Sequence, residues 1–251
     1  MTVSKPSVKT PASSNIAPLT NVTLFTELVE RITTRHRNLP AIGAWYGWSG
    51  LGKTISATYG AHRFRAYYVE VGSSWTLAKF CQALLTELGV PPRGTIASMV
   101  DTIISMLAET NRPLIIDEFD HVVKRGYVET IREIHDKSGA PIILIGEELL
   151  PDKLKQWERF HNRVLDWVPA QPCNARDVVA LAGIYAPGLE IAADLVELLL
   201  TKSEKRARRI VVNIDRIREA SVLEGWKGKI DRSLWGDRAL FTGAAPSRRI
   251  G

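Results

Sequence analysis

Eight consecutive residues, Gly47-Trp48-Ser49-Gly50-Leu51-Gly52-Lys53-Thr54, set three glycines, a lysine and a threonine in the pattern G-x-x-x-x-G-K-[ST]. That pattern is a P-loop. Its backbone N–H groups point inward around phosphates, and its glycines turn without a Cβ clash. In such a loop Lys53 reaches the β- and γ-phosphates, Thr54 offers its hydroxyl to Mg2+, and the helix starting near Lys53 aims its positive end at the same anion. A second stretch, "RPLIIDEFDHV", supplies what a phosphate cradle alone lacks. Leu114 to Asp117 reads as an apolar strand ending in an acidic pair. There Asp117 suits the Mg2+ shell, and Glu118 can orient or deprotonate water. An aspartate followed at once by a glutamate favours hydrolysis over phosphoryl transfer to a second substrate.

Two arginine groups could complete this chemistry. In "WERFHNRVLDWV", Arg159 and Arg163 lie four apart on a short helix running into a strand. From that place an arginine could project into a neighbouring subunit's γ-phosphate; the alternative is that both are solvated or pair with Glu158 and Asp166, and both readings stay open. In "KSEKRARRIVVNIDRIREA", Ile210, Val211, Ile214 and Ile217 form one core-facing helical stripe. Arg208 or Arg209, beside that stripe, can swing back to the nucleotide; the alternative is a solvated helix face.

The elements that must position these groups follow from periodicity. Residues 41–46, 66–71, 113–117, 140–146 and 164–168 are strand candidates. Helical spacing of apolar residues fills 21–36, 53–62, 75–88, 95–110, 127–137 and 151–162. Five short strands alternating with helices imply an α/β fold, a mostly parallel five-stranded sheet covered on both faces. After "VPAQP" the strand signal stops, and Asn174, with Asp177 three residues on, caps the first of four helices at 175–185, 192–202, 206–224 and 230–235. The expected organisation is a disordered arm at 1–20, an α/β core at 21–170, a small all-helical lid at 171–240 and a disordered tail at 241–251.

Composition is consistent with that scheme. The 251 residues are 45% hydrophobic, enough for a substantial core, and carry a net charge of +6, which favours a polyanionic partner without demanding one. No apolar run approaches the ~20 residues that span a bilayer, and the N-terminus lacks a signal-peptide pattern. The expectation is a cytoplasmic protein with no membrane partner. Cys81 and Cys173 read as two reduced, buried thiols and cannot make a zinc site by themselves.

Taken in order, "GWSGLGKT", "LIIDEFDH", "IILIGE", "ERFHNRV" and "ARRIVVNIDR" resemble the AAA+ ATPases. Within them the chain is most similar to the transposition target-selection ATPases of the phage Mu protein B type. That likeness extends through "VEVGSSWTLAKFCQALLTELGV" and "VETIREIHDKSGAPIILIGEE". The resemblance implies a P-loop NTPase core with a helical lid, using ATP and Mg2+. It further implies assembly as a helical filament on double-stranded DNA, recruitment of a transposase and departure from DNA on hydrolysis. Its source would then be a bacterial cytoplasm, from a prophage or another mobile element.

The sequence departs from that family in two places. Only a short polar arm stands where Mu protein B has a helix-turn-helix domain, which leaves DNA binding to the ATPase body or to another chain. Where the family usually has Asn at the end of the fourth strand, this chain reads Ile145-Gly146-Glu147, a carboxylate beside the γ-phosphate that slows hydrolysis or turns away. By analogy with bore-facing loops of related filaments, Arg93 in "VPPRGTI" and Lys124 and Arg125 in "HVVKRGY" are the candidate phosphate contacts to DNA. Two alternatives remain open beside the transposition reading: a helicase-loader ATPase and a low-turnover ATP-binding scaffold.

Overall fold

The computed structural model describes residues 19–244, so most of the expected arm and of the expected tail lies outside the described residues. The core is a five-stranded, fully parallel sheet in the order β2-β3-β4-β1-β5, formed by β1 (Ile42–Tyr46), β2 (Tyr67–Glu70), β3 (Leu114–Asp117), β4 (Ile142–Gly146) and β5 (Val164–Pro169). Register is set by Leu114 opposite both Tyr67 and Ile142, and by Ile42 opposite Ile142. Every one of these strands was anticipated within two residues.

Successive side chains on a strand point to opposite faces, and the buried strands are apolar on both. Ile143, Ile145, Ile115 and Trp45 meet α1 (Thr20–Thr33) and α2 (Lys53–Arg63). Ile142, Leu144, Leu114 and Ile116 meet α3 (Leu77–Glu87), α4 (Ile96–Thr110) and α6 (Val128–Ser138), with Phe80, Leu84, Ile103, Leu107, Ile131 and Ile134 fully or nearly fully buried. Each such side chain stabilises the fold by about 1.5–3 kcal/mol through removal from water. The layers approach closely on the α1 side. A Cβ at Gly43 would come within 2.9 Å of Ile32 and Leu28, and one at Gly60 within 2.5 Å of Phe25.

Beyond β5 lie α9 (Ala175–Tyr185), α10 (Ala193–Lys202), α11 (Ala207–Glu224) and α12 (Arg232–Trp235), around a core of their own that includes Val178, Leu195, Leu199, Ile210, Ile214 and Ile217. The capping box of Asn174 and Asp177 is present. This part is not wholly helical: β6 (Leu189–Ile191) and β7 (Gly228–Ile230) pair in parallel. Three-residue strands are too short to show alternation in a sequence.

Three further differences have physical causes. The helix expected over 151–162 is broken into α7 (Leu150–Leu154) and α8 (Glu158–His161). Phe160 is off the Leu150–Leu154 stripe, and the break lets it reach the core, where it stacks on Phe119 at 5.8 Å. Residues 120–125, read as a loop, form the short helix α5 (Asp120–Arg125), ended by Gly126 in the left-handed region at φ +79°. The presumed arm is ordered at its end: Leu19 is buried, and Thr20 donates its N–H to Asp177 Oδ1 at 2.8 Å. At the other terminus Phe241 donates its N–H to Asn213 Oδ1.

Candidate nucleotide site

The P-loop leaves the carboxyl end of β1, between β4 and β5 in the sheet, and runs directly into α2. Gly50 and Gly52 adopt φ of +86° and +89°, which side-chain-bearing residues rarely do, and Gly47 donates its N–H to Gly146 O at the end of β4. Lys53 folds back over the loop, its Nζ donating to the carbonyls of Gly47 at 2.6 Å and Trp48 at 3.1 Å. Burial lowers its pKa, opposed by Asp117, Glu118, Glu147 and Asp120. The ammonium therefore lies among carboxylates at the cavity floor.

β3 delivers the acidic pair to the same place. Asp117 is 3% exposed, and both its oxygens are engaged: Oδ1 accepts the Glu118 N–H at 2.7 Å and Oδ2 accepts the Tyr68 hydroxyl at 2.8 Å. Glu118 sits at φ +55°, a costly conformation for a residue with a Cβ that turns it out of the strand line. Burial, and then the neighbouring Asp117, raise its pKa, which makes its carboxylate a better proton acceptor than a solvated one. Tyr68 was not singled out from the sequence. Glu70 is in register with Asp117, so Tyr68, two residues earlier, shares its face of β2 and stands diagonally opposite Asp117. Burial and the Asp117 charge push the pKa of its phenol up, which keeps it a donor.

At the end of β4, Glu147 lines the cavity. Its N–H donates to Asp120 Oδ2 at 2.7 Å, and Lys153 Nζ reaches Asp120 Oδ1 at 2.6 Å and Glu147 Oε2 at 3.7 Å. Glu147 does not turn away from the site.

The other wall comes from the helical region. The cavity, about 330 Å³, is closed by Leu181 and Tyr185 of α9, by Ala207, Arg208, Val211 and Val212 of α11, and by Leu19 and Ile55. An apolar wall opposite a polar floor suits a base at one end and phosphates at the other. Of the two candidate arginines, Arg208 lines the cavity and gives its backbone N–H to Gly50 O at 3.2 Å. Arg209 points elsewhere, pairing with Glu204 at 2.7 Å. Arg206, not among the expected nucleotide residues, donates to Ser49 O at 3.1 Å. Asn21, also unforeseen, is buried and bridges Leu51 O, Gln171 O and Gln171 N–H. A larger groove of about 750 Å³ lies among α10, α12 and residues 236–242, but none of the expected site residues lines it.

The donors fit magnesium bound together with phosphate. Among the described residues no group of three His, Cys, Asp or Glu side chains would hold an ion by itself. Mg2+ ordinarily takes one or two protein oxygens plus phosphates and waters, and Thr54 and Asp117 face the cavity to provide them.

The remaining expected residues stand apart from the cavity. Arg159 is exposed on α8, with no side-chain partner among the described residues. Arg163 is held by Asp136, at 2.8 Å to Oδ1 and 3.3 Å to Oδ2, and not by the anticipated Glu158 or Asp166; Asp166 pairs with Arg31. Arg93 is exposed between α3 and α4, and Lys124 is exposed at the end of α5. Arg125 donates to the carbonyl of Ser73.

A parallel sheet ordered β2-β3-β4-β1-β5, with a P-loop after β1 and an acidic pair at the end of β3, is the AAA+ P-loop NTPase fold. Residues 36–154 match the family described as "AAA domain". Among solved structures, the chain is similar to the Orc1 protein of Aeropyrum pernix in complex with DNA, at 18% identity and TM-score 0.61, over 81% of this chain and 60% of that one. It is similar to Cdc6p of Pyrobaculum aerophilum at 14% identity and TM-score 0.61, over 87% and 66%. Drosophila ORC bound to DNA matches at 14% identity and TM-score 0.52, over 91% and 67%. This chain thus spans less than two thirds of the two archaeal proteins. No curated protein matches its sequence significantly.

Proposed function

We propose that this chain is an ATP-hydrolysing AAA+ switch that acts on double-stranded DNA with a protein partner. One observation carries the reading: the P-loop and acidic pair of the core and Arg208 of the helical region face one another across a single cavity. A nucleotide held there touches both regions, so exchange of triphosphate for diphosphate shifts one against the other.

In that mechanism the P-loop amides and Lys53 hold the phosphates, and Lys53 leaves the Gly47 and Trp48 carbonyls to do so. Thr54 and Asp117 would hold Mg2+, which would supply positive charge to the phosphate oxygens. Glu118 orients a water and takes its proton, and Arg208 adds positive charge from the helical side. Arg159 and Arg163 lie outside the cavity, and either serves only by reaching a neighbouring subunit's site in an ATP-dependent assembly. Residues from Gly47 to Thr54 form the cradle, while Arg209 serves Glu204.

For the partner, similarity to structures solved with DNA supports duplex binding, and similarity to Orc1 and Cdc6p supports the loader-type reading over transposase recruitment. Arg93, Lys124 and Arg125 are the proposed DNA contacts, acting additively along a self-assembled filament. The transposase reading, with its bacterial, cytoplasmic, mobile-element setting, rests on the motif resemblance to the Mu protein B group. ATP turnover measured with and without duplex DNA tests the common core of both. Stimulation by DNA is expected; turnover absent in both conditions leaves the ATP-binding scaffold. Co-sedimentation with a replicative helicase or with a transposase then separates the two partner classes.

A further inference from the structure

The phosphate end of the cavity is crowded with negative charge. Asp117, Glu118 and Glu147 line it, and Asp120 stands behind Glu147. A nucleoside triphosphate brings more negative charge to the same place than a diphosphate does, and like charges within a few ångströms in a partly enclosed site repel strongly. Lys53 and Arg208 are the cations lining the cavity. Glu147 is the anomaly, because its side chain is 66% exposed and nothing at the P-loop pairs with it.

Its neighbours are arranged around a third cation. Asp120 is only 10% exposed and uses both oxygens, one for the Glu147 N–H and one for Lys153 Nζ. The same carboxylate thus fixes where Glu147 leaves the strand and where the lysine head sits, 3.7 Å from Glu147 Oε2. The end of β4 is shaped for this arrangement. A Cβ at Gly146 would come 2.5 Å from Asp120 Oδ2 and 2.7 Å from Leu150 Cδ2, so only glycine there lets Asp120 in. The hydrogen bond to Asp120 raises the pKa of Lys153 and keeps it charged.

We propose that Lys153, docked on Asp120, is a positioning cation that partly offsets the charge Glu147 presents at the phosphate end of the cavity and thereby lets the site accept a triphosphate. This deepens the nucleotide reading and rests on it. Lys153 does not itself touch the nucleotide; it sets the field that Glu147 presents. The competing account is an ordinary ion pair that ties α7 to α5. The two differ in which ligand responds, because a field at the end of the cavity acts on the added phosphate group, whereas a loosened α7 acts on both nucleotides alike.

The experiment is calorimetric titration of the full chain with ATPγS and with ADP, each with Mg2+, for the wild type, Lys153→Met, Lys153→Arg, Glu147→Gln and the Lys153→Met/Glu147→Gln pair. Lys153→Met should weaken ATPγS by about tenfold while ADP changes by no more than about twofold, the size expected for one uncompensated charge at this range. Lys153→Arg should resemble the wild type, and the double variant should recover most of the lost ATPγS affinity. Equal weakening of both nucleotides, or no recovery in the double variant, overturns the proposal in favour of the structural pair. Should Lys153→Met not fold, Glu147→Gln decides alone: a rise in the ATPγS-to-ADP affinity ratio supports the proposal and an unchanged ratio overturns it. A wild-type chain that binds neither nucleotide overturns the nucleotide reading, and this inference with it. Normal wild-type binding with unresponsive variants overturns the inference only.

Discussion

The two walls of the cavity are built on different principles. The core wall is dense and charged. Lys53, Asp117, Glu118 and Asp120 stand at strand ends or helix starts, where Lys53 bonds two loop carbonyls, Asp117 uses both oxygens, one of them on Tyr68, and Asp120 uses both, one of them on Lys153. The helical wall is apolar, with one arginine in it; it bonds the loop through Arg206 to Ser49 O and the Arg208 N–H to Gly50 O, and bonds α1 through Asp177 to Thr20. A dense wall holds reacting groups in place, while a sparse one can move with small loss. The difference teaches that chemistry belongs to the core and response to the helices.

The largest effects should follow from breaking the core wall. Glu118→Gln keeps the shape of the site but cannot accept a proton, so hydrolysis should fall by about 10²–10⁴-fold with ATP affinity within a few-fold of normal. Lys53→Ala should instead lose affinity, because the ammonium at the cavity floor is gone. Turnover and equilibrium binding of both variants separate these outcomes, and unimpaired turnover in Glu118→Gln would falsify the division of labour between the walls.

Tyr68→Phe removes one hydroxyl from behind Asp117. The carboxylate then rotates more freely and holds its ion less well, and the Mg2+ concentration needed for half-maximal nucleotide binding should rise about tenfold, the lower end for loss of a ligand-orienting hydrogen bond. Binding in EDTA should be unaffected, which distinguishes this from general damage. On the opposite wall, Arg208→Ala should weaken ATP binding by up to about tenfold, as expected for one charge-assisted contact, while Arg209→Ala should not. Equal effects from the two arginines would mean that the helical wall contributes stability alone.

What could be read from the sequence follows the same division. The core wall is written in contiguous motifs, because a P-loop and a strand ending in two acids each need neighbours in the chain, and the five strands stand out as apolar runs. Groups that complete the site from afar left no such mark. Tyr68 acts on a residue 49 positions away, Asn21 on one 150 away and Arg206 on one 157 away, and nothing local in "AYYVE" or "LTNVT" points to those contacts. Arg163 shows the converse: a suggestive position, but its partner Asp136 lies on α6 and not among its sequence neighbours. Short elements escaped for another reason, since α5, β6 and β7 offer too few residues for any period to show.

The smallest effect should arise at the far end of the sheet and tests whether the two regions are one cooperative unit. His135 is 7% exposed; its Nε2 accepts the Ala41 N–H at 3.1 Å, so Nδ1 carries the proton and donates to Asp136 Oδ1, the oxygen that also receives Arg163. Burial lowers the pKa of the ring, and Asp136 only partly opposes this. The unfolded chain therefore binds the proton more readily than the folded one. Stability from the neutral ring is fully present above the ordinary histidine pKa, near 6.5, and is lost as pH falls below it, by at most about 1.4 kcal/mol per pH unit. Asp136, held down to about 2 by Arg163 and His135, stays ionised throughout this window. His135→Gln should flatten the dependence between about pH 6.5 and pH 5. Peptide-resolved hydrogen exchange over that range should show protection falling in β1, β4 and α6. If α9 to α11 keep theirs, the helical wall is an independent unit that moves on a rigid core. Equal loss in both regions would make the molecule a single cooperative block, and the nucleotide would then have to act by a smaller displacement than the sparse contacts between the walls permit.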